Sequence, residues 1–182
     1  VPHVVMRGMG EPLDNFDNAM RFLKLVGDDK GLNLSLRNIS LSTCGVVPRI
    51  YDLMERHLQL TLSVSLHAPN NEMRSKTMPI NKKYPIEELL KACREYTKRT
   101  SRRISFEYAM IKDVNDSDAC AYELAALLKG MLCHVNLIPA NEIVESSHKR
   151  STNERLESFI KILNSRGINA TVRRSLGSDI YA

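Results

Sequence analysis

The chain has 182 residues, of which 43% are hydrophobic and 26% are charged, and its formal net charge is +5 at pH 7. A chain of this length buries about two-thirds of its unfolded surface in one core, which predicts a single domain over residues 1–182. No apolar run reaches the roughly 20 residues that a membrane helix requires, and no signal-peptide pattern opens the sequence. Composition therefore predicts a cytoplasmic protein without a membrane partner.

The first predicted element is a short strand that ends in a ligand-binding turn. The apolar sequence VVM at 4–6 is followed almost directly by GMGEP at 8–12. Glycines in such a turn let the backbone approach a bound molecule, and Glu11 offers a carboxylate to a cationic donor such as an ammonium group. A tight turn in which Glu11 only caps the next helix is the alternative.

Four later segments alternate apolar residues with small polar ones, which is the period of a strand with two unlike faces. Helix-like sequence follows each segment, and this order predicts right-handed βα units and a parallel sheet. An antiparallel sheet with one wet face is the alternative. Because one face carries polar residues, we predict a barrel-like sheet whose interior holds a polar ligand. The segments are residues 39–42, 60–67, 104–108 and 135–137, and a last strand is predicted at 170–174.

Capping residues and apolar stripes locate the helices between these strands. Pro85 and Ser117 each precede an apolar stripe at helical spacing, and Gly130 is expected to end the second of these helices. Ser151 fits the first position of a capping box ahead of the last helix. The stripes are interpreted as core-facing surfaces without chemistry.

Neither cysteine spacing nor charge identifies a site by itself. The four cysteines are far apart and lack the C-x-x-C type of spacing, so no local metal or cluster site is predicted. Cys44 follows a strand and is expected to line a pocket there. The basic residues, which give an isoelectric point near 9.1, would suit a polyanion, but few aromatic residues accompany them for base stacking.

A series of motifs runs along nearly the whole chain: GMGEPLDN at 8–15, LSTCGVVPRI at 41–50, SLHAPN at 65–70, MPIN at 78–81, FEY at 106–108, VNDS at 114–117, NLIP at 136–139, TVRR at 171–174 and GSDI at 177–180. In this order the motifs resemble the radical S-adenosylmethionine (SAM) enzymes that methylate C2 of adenine in ribosomal RNA. The resemblance implies an α/β fold, a partial radical SAM barrel of parallel strands with about five βα units and a C-terminal strand. It also implies that the first barrel strand and the cluster loop precede Val1, as expected for a fragment of a longer protein.

The resemblance assigns a set of residues to a SAM site. Glu11 would accept a hydrogen bond from the amino group of SAM, next to Gly10. The alternation of polar residues independently directs Ser42, Ser65 and His67 into the same interior, although a core histidine bonded to a carbonyl group is the alternative for His67. The residues expected around the ribose, adenine and carboxylate of SAM are Ser42, Ser65, Leu66, His67 and Asn141.

The chemistry that the resemblance implies needs groups outside this chain. A [4Fe-4S] cluster would cleave SAM reductively, and an S-methylcysteine would carry the methyl group to adenine C2. Their cysteines would lie upstream of Val1 and just past Ala182, so no catalytic residue and no metal ligand is assigned within the chain, which alone is expected to be inactive. The implied partners of the monomeric protein are ribosomal RNA, transfer RNA as an open second substrate, and an electron donor such as flavodoxin or ferredoxin.

Two other functions stay open at the level of sequence. One belongs to the branch of the same family that methylates C8 of adenine and confers antibiotic resistance. The other is a non-catalytic module that binds a nucleotide or RNA on the same barrel. Cluster cysteines in the sequence flanking this chain would indicate an enzyme, and their absence would indicate a binding module.

Overall fold

Six parallel strands form one open sheet in the computed structural model, which describes residues 3–7, 10–140 and 149–173. The strands are hydrogen-bonded to one another in chain order, so the first and the last lie at opposite edges. All five neighbouring pairs run parallel, which confirms the predicted sheet and shows that the antiparallel alternative is wrong. The strands are β1 (Val4–Met6), β2 (Ile39–Thr43), β3 (Thr61–Ser65), β4 (Ile104–Met110), β5 (Cys133–Pro139) and β6 (Ala170–Val172).

Helices occupy every connection between consecutive strands. Because parallel crossovers are right-handed and each strand is added on the same side of its predecessor, the helices pack against one face of the sheet. Within the described ranges, every helix is too short or too polar to cross a bilayer. The helices are α1 (Phe16–Gly27), α2 (Val47–Met54), α3 (Asn71–Thr77), α4 (Ile86–Thr100), α5 (Asp118–Leu128) and α6 (Asn153–Ser165), with short 3-10 helices at Leu36–Asn38 and Pro79–Lys82.

The two faces of the sheet differ in chemistry, as the alternating segments predict. Side chains that point toward the helices are apolar and completely buried, as for Leu41, Leu62 and Phe106. The opposite face is concave and lines a cavity of about 490 Å³. Polar residues supply most of the strand positions in this lining: Ser40, Ser42, Thr61, Ser63, Ser105, Glu107 and Asn136.

Helix starts agree with the sequence in one case and differ in another. Ser117 caps α5, because its hydroxyl accepts the backbone N–H of Cys120 at 3.2 Å. The prediction that Ser151 caps the last helix is wrong. Thr152 is the cap residue of α6, whereas the buried hydroxyl of Ser151 donates to the carboxylate of Asp116 at 2.8 Å. A charged acceptor makes the stronger hydrogen bond, and the helix begins one residue later than predicted.

Candidate functional site

The carboxyl ends of β1, β2 and β3 surround a small cavity of about 170 Å³. Ligands of parallel α/β folds bind at this edge of the sheet, where the loops leave the strands. Four of the residues predicted for the SAM site line the cavity together: Gly10, Glu11, Ser42 and Ser65. Arg7, Pro12, Thr43 and Cys44 complete its lining.

Two backbone N–H groups from different elements hold the carboxylate of Glu11. One oxygen accepts the N–H of Leu13 at 3.0 Å, and the other accepts the N–H of Cys44, at the end of β2, at 2.7 Å. An ionised carboxylate offers about four acceptor positions, so these two bonds leave capacity for a cationic donor. Glu11 does not cap α1, since that helix begins at Phe16 with Asn15 as its cap residue. Glu11 is therefore an oriented carboxylate at the cavity.

The hydroxyl groups of Ser42 and Ser65 face this cavity from adjacent strands. Neither side chain hydrogen-bonds to another side chain or backbone group within the described part of the protein. Ser42 lies opposite Ser63 in the sheet, and Ser65 lies opposite Glu107, so polar side chains continue across the concave face. Hydroxyl groups without a partner among the described residues are available to a polar ligand.

His67 lies two residues beyond β3 in a left-handed backbone conformation, with φ of 59°. Its Nδ1 accepts the backbone N–H of Ala109 at 3.0 Å, while its carbonyl oxygen accepts a hydrogen bond from the Asn115 side chain at 2.9 Å. Burial, followed by the positive charges of Arg74 and Arg7, lowers the pKa of His67 to about 4. The imidazole is thus neutral at pH 7, and with Nδ1 accepting, Nε2 carries the proton and can donate. The ring of His67 is thus bonded to a backbone N–H, and not to a carbonyl group as in the alternative of a core histidine.

Leu66 and Asn141 are the other two residues predicted for the SAM site. The Leu66 side chain is completely buried, its N–H donates to the carbonyl of Glu107, and its carbonyl accepts from Arg74. Its contact with a ligand stays a prediction. Asn141 lies outside the described residues, as does the GSDI motif at 177–180.

The thiol of Cys44 borders the cavity but is held in its protonated form. Burial, together with the hydrogen bond and charge of Glu11, raises the pKa of Cys44 to about 12. A thiolate is the form that acts as nucleophile or metal ligand, so this thiol is weakly reactive at neutral pH. The expectation that Cys44 lines a pocket is confirmed.

Sequence analysis missed a buried arginine behind the cavity. Arg74 of α3 is completely buried and donates to backbone carbonyls at the ends of β2 and β3. Its neighbours Glu72 and Lys76 are exposed, so the local sequence gave no signal of burial. Four further arginines line the larger concave cavity: Arg7, Arg102, Arg103 and Arg173. Arg173 belongs to the TVRR motif at 171–174, whereas Arg102 and Arg103 are two of the basic residues noted in the sequence.

Sequence comparison relates the chain to one protein family and to curated proteins. The sequence model of the radical SAM superfamily matches residues 2–125. A protein of Caldanaerobacter subterraneus named "Probable dual-specificity RNA methyltransferase RlmN" is 54% identical over 182 residues, which are 100% of this chain and 53% of that protein. A protein of Clostridium novyi with the same name is 54% identical over 180 residues, 99% of this chain and 52% of its own. The chain thus spans about half the length of the curated relatives it matches.

Two solved structures are similar in fold. A radical SAM methyltransferase from Sphaerobacter thermophilus superposes with a TM-score of 0.94 at 50% identity, covering 98% of this chain and 52% of the other. A domain of pyruvate-formate lyase-activating enzyme from Bacteroides vulgatus superposes with a TM-score of 0.73 over 96% of this chain and all of that domain. At 18% identity the second likeness concerns the fold alone.

Proposed function

Because the chain belongs to the radical SAM superfamily, we propose that it is the SAM-binding core of an enzyme that methylates C2 of an adenine in 23S ribosomal RNA. Transfer RNA is the second substrate that we propose, in line with the dual-specificity names of the relatives. A cysteine of the longer protein would carry the methyl group as S-methylcysteine. The proposal concerns that longer protein, since this chain spans about half of its relatives.

The observation that carries the proposal is the orientation of Glu11. Its carboxylate is fixed at 3.0 and 2.7 Å by two backbone N–H groups at the edge of a 170 Å³ cavity and retains acceptor capacity there. An ammonium group placed in this cavity would gain a charge-assisted hydrogen bond. The amino group of SAM supplies such an ammonium.

The other polar groups at this edge suit the rest of a SAM molecule. Ser42 and Ser65 offer hydroxyls that can either donate or accept, and neutral His67 offers the N–H of Nε2. When bound, SAM supplies both the methyl group and the adenosyl radical precursor. The residues of this chain would bind its ammonium, orient its polar groups and keep it at the carboxyl ends of the strands.

The described residues do not fit an iron–sulfur cluster. A [4Fe-4S] cluster requires several thiolates at one point, and within the described ranges there is no group of three metal-binding side chains. Burial also raises the pKa of Cys93 to about 12 and that of Cys133 to about 11, which opposes thiolate formation. We therefore place the cluster ligands in the remainder of the longer protein.

The arginines around the concave cavity support an RNA substrate. Arg7 and Arg173 lie at the carboxyl ends of the two edge strands, and both line the 490 Å³ cavity. Phosphate groups of RNA bind arginine through bidentate, charge-assisted hydrogen bonds. An RNA strand that enters the cavity from the carboxyl edge would meet these two side chains.

A methylation assay on the full-length protein tests this function. The protein, anaerobically reconstituted and reduced with flavodoxin or a chemical reductant, is incubated with SAM that carries a labelled methyl group and an unmodified 23S ribosomal RNA fragment. We expect label in the RNA, and mass spectrometry of its nucleosides against both methyladenosine standards should identify 2-methyladenosine. Finding 8-methyladenosine would favour the C8-methylating branch. SAM binding without any methyl transfer would favour a binding module.

A further inference from the structure

Arg74 is a buried cation that is bound by main-chain carbonyl groups. Its Nε donates to the carbonyl of Leu66 at 3.2 Å, and its Nη2 donates to the carbonyls of Ser65 at 3.0 Å and Cys44 at 2.7 Å. Its remaining Nη1 donates to the side-chain oxygen of Asn81 at 3.0 Å. The guanidinium thus joins the carboxyl ends of β2 and β3, which come from separate parts of the chain.

No carboxylate contacts Arg74 among the described residues, so the hydrogen bonds of its guanidinium have to be well oriented. A buried charge is costly unless it is fully hydrogen-bonded, so the carbonyl groups around it have to point at the guanidinium. The planar fork of arginine fixes the directions of its N–H groups, and a lysine ammonium cannot reproduce them. Asn81 holds the fork in place, because its amide nitrogen is in turn bound by Asn71 and Ser75.

The carbonyls that Arg74 binds belong to residues of the candidate SAM site. Cys44 is held on both sides, since its N–H donates to Glu11 and its carbonyl accepts from Arg74. Ser65 lines the same cavity. A shift of the Arg74 side chain would therefore move two groups together: the N–H of Cys44 that binds Glu11, and the hydroxyl of Ser65. Arg74 itself does not line the cavity.

We infer that Arg74 is a positioning residue for SAM, which sets the separation of the β2 and β3 ends at the methionine side of the cavity. This inference rests on the proposed SAM-binding function. Gly45 permits the arrangement, because a Cβ atom built there would lie only 3.3 Å from Nη2 of Arg74. A side chain at residue 45 would crowd the guanidinium and would also be strained at φ of 106°, so glycine suits this close approach.

Steady-state kinetics on the full-length enzyme test the inference with Arg74→Lys. We expect the KM for SAM to rise about ten-fold, the equivalent of one lost charge-assisted hydrogen bond, while kcat changes much less. A role in stability alone would lower the melting temperature and the active fraction without changing this KM. Arg94→Met is the matched control, because Arg94 also donates to two backbone carbonyls, those of Leu127 and Lys129, but these lie away from the cavity.

A second variant keeps the test decisive if Arg74→Lys does not fold. Asn81→Ala removes the acceptor of Nη1 but leaves the guanidinium and its three main-chain bonds in place, so we expect a smaller rise in the KM for SAM, of about three-fold. A SAM affinity within experimental error of wild type in folded Arg74 and Asn81 variants would overturn the inference. If the wild-type enzyme itself did not bind SAM, the proposed function would fail instead.

Discussion

The Nδ1 atom of His67 accepts the backbone N–H of Ala109 at 3.0 Å, which joins the loop after β3 to β4. Since Nδ1 accepts, it cannot carry a proton, and the neutral ring is fixed as the tautomer with hydrogen on Nε2. Protonation of Nδ1 would place two donors opposite each other. The hydrogen bond that fixes the ring of His67 therefore also makes its protonation unfavourable.

This arrangement predicts a loss of stability in mild acid. Burial lowers the folded-state pKa of His67 from 6.5 to about 4, so between these values the unfolded chain binds a proton that the folded protein does not. The contribution of neutral His67 to the free energy of unfolding is fully present above pH 6.5. It is lost as the pH falls toward 4, and the loss amounts to at most about 3 kcal/mol. Urea unfolding at a series of pH values measures this change.

The variant His67→Asn isolates the contribution of this histidine. Asparagine tolerates a left-handed backbone and can still accept the N–H of Ala109, but it does not titrate. The free energy of unfolding of this variant should vary less with pH between 6.5 and 4 than that of the wild type. His57→Asn is the control, since His57 also has a positive φ, of 51°, but is exposed. Equal pH dependence in wild type and His67→Asn would contradict the prediction.

A second prediction concerns the charge of Glu11. In the full-length protein, Glu11→Gln should weaken SAM binding by about 1–3 kcal/mol, because the ammonium group loses its charged acceptor. Isothermal titration calorimetry measures the affinity, and a matched Glu95→Gln variant removes a carboxylate that pairs with Lys98 on the outer helix α4. The Glu95 variant should bind SAM as the wild type does. Unchanged affinity in Glu11→Gln would remove this carboxylate from the SAM site.

The alternating strands explain how much of this site could be predicted from sequence. In a strand, side-chain direction follows a period of two, so the positions of Ser42 and Ser65 in their segments already specified the face on which they lie. The parallel order then brought the strand ends to one edge. The cavity that joins Ser42, Ser65 and Glu11 is a consequence of patterns that are local in the sequence.

Arg74 shows what the sequence could not reveal. Helix periodicity places Arg74 on a turn with exposed neighbours, and its burial depends on carbonyl groups of Cys44 and Ser65 that lie 30 and 9 residues away. Every residue type has a backbone carbonyl, so no sequence motif indicates such a contact. The error at Ser151 also comes from a distant partner, because the carboxylate of Asp116 that its hydroxyl binds lies 35 residues earlier in the chain.

A third prediction concerns the reactivity of Cys44. Although this thiol is only half-buried, its pKa is raised to about 12, so iodoacetamide at neutral pH should modify it far more slowly than a free cysteine. Mass spectrometry of the labelled protein measures the rate at Cys44. Cys44→Ser should keep the SAM affinity of the full-length protein, because the N–H that donates to Glu11 and the carbonyl that accepts from Arg74 belong to the backbone, and the serine hydroxyl replaces the thiol beside Glu11. Rapid stoichiometric labelling of Cys44 in the folded protein would refute the raised pKa.

The last prediction compares two glycines with left-handed backbones. Gly45 has φ of 106°, and a Cβ atom there would lie 3.1 Å from Leu89 and 3.3 Å from Arg74. Gly130 has φ of 73°, and a Cβ atom would meet nothing within 4 Å. Gly130→Ala should cost about 1 kcal/mol of unfolding free energy from backbone strain alone. Gly45→Ala should cost about 2–4 kcal/mol, because overpacking against Leu89 and Arg74 adds to the strain.

Urea unfolding of the two alanine variants measures this difference directly. Since Nη2 of Arg74 binds the carbonyl of Cys44, the crowding at Gly45 should also displace the end of β2 and weaken SAM binding by the full-length protein. Gly130→Ala lies beyond the end of α5 and should leave SAM affinity unchanged. Equal losses of stability in the two variants would show that the packing of Leu89 and Arg74 against Gly45 adjusts at no cost, and that residue 45 need not be glycine for the strand ends to meet.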